Sequence, residues 1–167
     1  VEQLAHIPSQ SFNVAISSFA GQNIGARKPR RVLTSMYVCL FWAFSFGVVL
    51  GLLSCAFGAQ LLSLYSTDAD VIQVGLNRMY FVCGPYFLCG IMDTMVGSIR
   101  GLGSSVIPMC VSIIGVCGLR VLWIFTVFQW SRSLTTLYLS YPVTWVVTGA
   151  VHIACFLMLK RKLPKED

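Results

Sequence analysis

The first 21 residues set the pattern. Gln3, His6, Gln10, Asn13 and Ser17 recur at spacings of three, four, three and four, which places them on one face of a helix. Leu4, Ile7, Val14, Ala15 and Phe19 make the opposite face apolar. At about 1.5 Å of rise per residue the segment is close to 30 Å long, just enough to cross a bilayer, and Pro8 can kink it. Two readings fit: a transmembrane helix lining an aqueous cavity, or an amphipathic helix lying on a membrane surface. The absence of Lys and Arg from the polar face favours the first.

Four further segments have the length and apolar run of membrane spans. After the polar loop 21–31, residues 32–58 contain no charge, and Gly47 and Gly51 form a GxxxG pair that allows close helix contact. Residues 65–70 read as a turn, with Thr67 as the helix cap and Asp70 three residues on. The pattern then predicts one helix over 68–100, bent at Gly84-Pro85, followed by helices over 106–129 and 137–159. Tyr138, Tyr141 and Trp145 sit near one end of the last, as interfacial belt residues do.

Composition agrees with spans. Hydrophobic residues make up 56% of the chain and charged residues 11%, against about 25% charged in soluble proteins. The expected class is an all-α integral membrane protein of five transmembrane helices. The seven cysteines lie in apolar runs without CxxC spacing, so they read as reduced packing residues and no metal site is expected. The N-terminus lacks the basic start of a signal peptide, and its opening on Val1 suggests a fragment of a longer chain.

Of the twelve Lys and Arg, Arg27, Lys28, Arg30, Arg31, Arg100, Lys160, Arg161, Lys162 and Lys165 fall on one side of a five-span arrangement and Arg78 and Arg132 on the other, with Arg120 inside. The positive-inside rule then puts the C-terminus in the cytoplasm, in the cell membrane. Anionic lipid accounts for the net charge of +6, so no nucleic-acid partner is implied.

Asp93 is the chemically informative position, because an isolated carboxylate in hydrocarbon costs on the order of 3 kcal/mol or more and marks an ion or substrate path. Either it exchanges a proton or cation, or it is a structural carboxylate pinned to a basic partner. Tyr86, Cys89, Gly90, Val96, Gly97 and Arg100 share its helix face. Counting from Arg100 and Lys160, Asp93 and His152 both lie roughly 10 to 12 Å from the same side, whereas Arg120 is some 20 Å up. His152 is therefore the predicted titrating neighbour of Asp93. Arg120 reads as a fixed countercharge or as a guide for cations. Gln10, Asn13, Tyr86 and Arg120 are candidates for lining a substrate cavity. Walker, HExxH, nucleophile-elbow and GxGxxG patterns are all absent, so no enzymatic activity and no cofactor are expected.

GQNIGARKP followed by RR, then a long span, YSTDADVI, and SIRGLG with Pro108 five residues beyond Gly103 together resemble the C-terminal half of a MATE (multidrug and toxic compound extrusion) transporter. The motifs cover 21–142. The resemblance implies twelve helices in two lobes, of which these five would be the eighth to the twelfth, with the N-terminal lobe of the same protein as partner. It also implies export of small organic cations or drugs against inward flow of H+ or Na+, and an acid on the helix of Asp93 that binds the coupling ion. Two alternatives stand beside it: a flippase for lipid-linked saccharides, which calls for a more cationic cavity, and a non-transporting membrane interaction module.

Overall fold

Prolines and left-handed turns cut the chain into its helices. Pro29 occupies the first turn of a helix, where its missing N–H costs nothing. Two helices end in a Schellman arrangement. At the first, Lys28 N–H donates to the Asn23 carbonyl at 2.9 Å and Arg27 N–H to that of Ile24 at 2.9 Å, with Arg27 in the left-handed region at φ 54°. At the second, Ser104 N–H reaches the Ile99 carbonyl at 3.3 Å and Gly103 N–H that of Arg100 at 2.9 Å, with Gly103 at φ 85°. A glycine tolerates that conformation freely; the arginine carries it at a local cost of roughly 1 to 2 kcal/mol.

The computed structural model describes residues 2–130 and 132–161, with side chains from His6 onward. Helix α1 spans Glu2–Gly25, α2 Pro29–Ala56, α3 Gly58–Ser63, α4 Ala69–Cys83 and α5 Tyr86–Gly101. Helix α6 runs over Val106–Trp130 with a π-helical turn at Ile113–Gly118, and α7 over Leu134–Lys160. All regular structure among the described residues is helical. Gln3 and Leu4, as side chains, and Lys162 and Lys165 lie outside what is described.

Helices α2, α6 and α7 are each long and apolar enough to cross a membrane, and α4 with α5 makes a fourth span if the pair is taken together. Such an architecture is that of an all-α membrane protein. The predicted single helix over 68–100 is in fact two, bent by 44° at the Gly84-Pro85 break. Helix α1 is less apolar than the others because of its polar face, and it is not among the candidate spans. The predicted Thr67 cap is corrected to Asp68, whose Oδ1 accepts from Asp70 N–H at 3.0 Å.

Helix α5 is the centre of the assembly. It packs against α1, α2 and α7, and every residue from Met92 to Ile99 is buried. Small residues allow the approach: a Cβ added at Gly47 would meet Phe87 Cα at 2.7 Å, and one at Gly51 would meet the Cys83 carbonyl, so the GxxxG pair of α2 seats both halves of the bent span. Ile16 on α1, Met36 on α2, Met95 and Ile99 on α5, and Phe156 on α7 close the core toward one end; Val82, Tyr86, Cys89, Met92 and Trp145 close it toward the other. The outside is apolar. Phe41, Trp42, Leu52, Ile114, Phe125 and Val146 are all exposed, and no residue in the most apolar stretch of α6 is buried.

The face pattern of α1 is oriented inward. Ser9 and Asn13 are buried, while Ile7 and Val14 are 59% and 64% exposed. Part of the polar face thus meets protein and part of the apolar face points out, although Ile16 and Ala20 are buried in the core.

The contact between α1 and α5 depends on Gly97, where a Cβ would collide with the Asn13 carbonyl oxygen and the Ile16 side chain. Gly97→Ala is therefore expected to destabilise the fold by about 1 to 3 kcal/mol, the range for overpacking. A lowered midpoint in thermal unfolding of the detergent-solubilised protein would show it; an unchanged midpoint would mean that α1 can slide away from α5 without loss.

Candidate functional site

Helices α1, α5, α6 and α7, with Val82 of α4, line an open cavity of about 630 Å³. Each contributes for a local reason. Helix α1 turns its polar face inward and brings His6, Gln10 and Asn13. Helix α5 begins after the Gly84-Pro85 bend, and the bend aims Tyr86, Cys89 and Asp93, one helical turn apart, at the same space. The π-helical turn of α6 contributes Ile113, Val116 and Cys117, with Arg120 just beyond. Such turns hold one residue more than an α-helical turn and commonly mark functional sites.

Asp93 is buried, with its side chain 10% exposed. Its Oδ2 has two neighbours: His6 Nδ1 at 3.8 Å and Cys89 Sγ at 3.9 Å. The first is within ion-pair reach if His6 is protonated, but is too long for a hydrogen bond. On its other side His6 is oriented by Gln10, whose Nε2 lies 2.9 Å from His6 Nε2. His6 also meets the edge of Tyr86, with ring centroids 6.4 Å apart, and Tyr86 in turn makes a T-shaped contact with Trp145 at 5.8 Å.

Arg120 forms the opposite wall. Its guanidinium stacks 4.1 Å from the centroid of the Tyr141 ring, and Tyr141 packs edge-on against Trp145. Its buried Nε has no hydrogen-bond partner. The aromatic row Tyr86, Trp145, Tyr141 therefore runs between the carboxylate and the guanidinium.

The structure brings together Asp93, Gln10, Asn13, Tyr86 and Arg120 around this one cavity. It leaves His152 out of the lining. His152 is fully buried between α6 and α7: Nδ1 donates to the Thr148 carbonyl at 2.8 Å, while Nε2 lies 3.4 Å from the Pro108 carbonyl and 3.5 Å from Ser112 Oγ. Those contacts are what a packing residue makes. The imidazole nearest Asp93 is that of His6. Depth counted along one helix pointed to His152, but it carries no information about which face the residue takes. The signal for His6 was its place on the polar face of α1.

A family model described as MatE matches residues 1–126. The chain is similar to a probable multidrug resistance protein, YoeA, of Bacillus subtilis strain 168, at 25% identity, covering 89% of this chain and 32% of that protein. It is similar also to a probable multidrug resistance protein, NorM, of Thermotoga maritima, at 25% identity over 72% of this chain and 26% of the relative. Protein DETOXIFICATION 38 of Arabidopsis thaliana is 27% identical over 62% of this chain and 20% of its own length. The chain thus spans about a third or less of the curated relatives it matches. No solved structure matches it significantly.

The cavity can be tested by labelling. In a background with the native cysteines replaced by serine, Asn13→Cys is expected to react with a water-soluble thiol reagent and Val14→Cys, on the outward apolar face, to remain unlabelled. Equal labelling at both positions would mean that α1 does not separate water from lipid.

Proposed function

The chain belongs to the MATE family, and on that premise we propose that the full protein is a secondary active multidrug exporter that moves organic cations or drugs by antiport with H+ or Na+. Members of the family are transporters. In this reading the five helices are the eighth to the twelfth of twelve, all five span the cell membrane with the C-terminus in the cytoplasm, and the cleft is completed by an N-terminal lobe.

The observation that carries the proposal is Asp93, the one buried carboxylate among the described residues, opening onto a cavity of about 630 Å³ walled by aromatic rings and amides. That volume is within the range of small-molecule sites, about 300 to 1,000 Å³. Asp93 binds the coupling ion: a buried acid is stable with its charge neutralised, either by a proton or by a cation, and becomes costly when both are gone. Gln10, Asn13 and Tyr86 offer hydrogen bonds and a flat apolar surface to a substrate, which suits cations of varied shape better than one fixed ligand. Convergence of these side chains on a cavity instead of on packed protein speaks against a purely structural interaction module.

A second reading, a flippase for lipid-linked saccharides, is supported by one observation: two guanidinium groups, Arg100 and Arg120, line the cavity against one carboxylate. An anionic pyrophosphate would use both. On the first reading Arg120 is a countercharge held on Tyr141, and Arg120→Gln is expected to leave the drug spectrum unchanged; on the second it should abolish movement of the lipid pyrophosphate.

The decisive variant is Asp93→Asn in the full-length protein, which is expected to lower efflux of a fluorescent organic cation to the level of cells lacking the transporter. Retained drug resistance in that variant would overturn the assignment. In proteoliposomes, collapsing a proton gradient and a sodium gradient in turn identifies the coupling ion.

A further inference from the structure

The cluster around Asp93 has a donor set that transport of organic cations does not call for. We propose that His6, Cys89 and Asp93 form a site for a borderline or soft divalent transition-metal ion, of the zinc and cadmium class. The inference goes beyond the transport reading and does not depend on it, since binding can be measured whether or not the protein exports anything.

Three observations support it. First, the His6 Nδ1, Cys89 Sγ and Asp93 carboxylate oxygen all lie within 4.8 Å of one another, with the two contacts to Asp93 Oδ2 at 3.8 and 3.9 Å. A tetrahedral centre with bonds of about 2.0 to 2.3 Å to N, O and S sets its ligand atoms roughly 3.3 to 3.8 Å apart. The His6 contact is too long for a hydrogen bond, the Cys89 thiol donates only a long one, and both distances are close to what a shared ion needs. Side-chain rotation of a few tenths of an ångström closes the carboxylate pairs.

Second, the ligands are held correctly. Cys89 and Asp93 are four residues apart on α5 and therefore stack on one face. His6 reaches them from α1, its Nδ1 is buried without a hydrogen-bond partner, and Gln10 engages the other ring nitrogen. Turning the Gln10 amide to present Oε1 lets it accept from Nε2–H, which leaves the Nδ1 lone pair free for the metal; this outer contact is the kind that orients a metal-bound histidine. The cavity supplies the fourth position for water.

Third, the charges balance. A thiolate and a carboxylate neutralise a divalent ion, so the filled site carries no net charge at membrane depth, and the proton released by Cys89 passes to cavity water. Thiolate and imidazole together favour zinc-class ions over sodium, magnesium or calcium. Once bound, the ion would join α1 to α5 directly. Cysteine spacing gave no hint of this site because His6 and Cys89, on two different helices, stand more than eighty residues apart in the sequence.

The test is titration of the full chain in lipid nanodiscs with Cd2+, followed by the near-ultraviolet thiolate-to-cadmium absorption and by equilibrium dialysis. One ion per chain is expected. Cys89→Ser should remove the absorption, whereas Cys117→Ser, altering a thiol in the same cavity but outside the cluster, should leave it. Gln10→Ala should weaken binding by about tenfold or more, the usual effect of losing an orienting partner. X-ray absorption of the bound wild-type protein should show one sulfur with nitrogen and oxygen neighbours, a readout that requires no variant to fold. Absorption that survives in Cys89→Ser, a metal shell with two or more sulfurs, or no stoichiometric binding by the folded chain would each overturn the proposal.

Discussion

Placing a carboxylate on the most deeply buried helix of a membrane protein imposes a requirement that the surrounding packing must meet. A charge in that position is tolerated only if counter-groups or water reach it. Neighbouring polar groups on α5 do not serve: Thr94 and Ser98 bond back to the carbonyls of Gly90 and Thr94 on their own helix, each at 2.8 Å. What reaches Asp93 is the Cys89 thiol one turn back on α5, His6 on α1 and the cavity itself. The close seating of α1 and α2 against Gly97 and Gly90 is therefore both packing and electrostatics. It brings an imidazole within range of the acid while leaving room for solvent on one side.

The inward orientation of α1 follows from the same requirement. In a soluble protein a helix with this periodicity would face its apolar stripe toward the core. Here the surroundings outside are apolar and the interior is the wet side, so Ile7 and Val14 face out and Asn13 faces in. Tyr86, Trp145 and Tyr141 pack edge-on in a row, and Arg120 is held on the Tyr141 ring at its end.

Much of this was legible in the sequence because helical period and apolar length are strong local signals. The polar face of α1, the GxxxG contact of α2 and the bend at Gly84-Pro85 follow from spacing and residue type; Gln10, Asn13, Tyr86, Asp93 and Arg120 stand out as residue types, and their meeting at one cavity is read from the structure. What was not legible depends on geometry between helices. Counting rise along α7 gave the height of His152 but not its rotation, and the structure turns it toward Pro108 and Thr148. The end of α1 was placed near Gly21 because glycines, a proline and four cations interrupt the hydrophobic pattern over 21–31, yet the helix runs on to Gly25 and the left-handed residue beyond it is Arg27, a type with no preference for that role. The cap falls on Asp68 and not on Thr67: both side chains are suited to the role, and the backbone at 68 is extended as a cap requires.

The π-helical turn of α6 is, in mechanical terms, a dislocation. One surplus residue between Ile113 and Gly118 offsets the angular phase of everything after it from everything before. One extra residue corresponds to about 100° of rotation about the axis, so Arg120 faces the cavity from an angle that an unbroken α-helix would not give it. The wall of the cavity that carries Arg120 is thus set in angle by this offset, and among the described residues only α6 carries one.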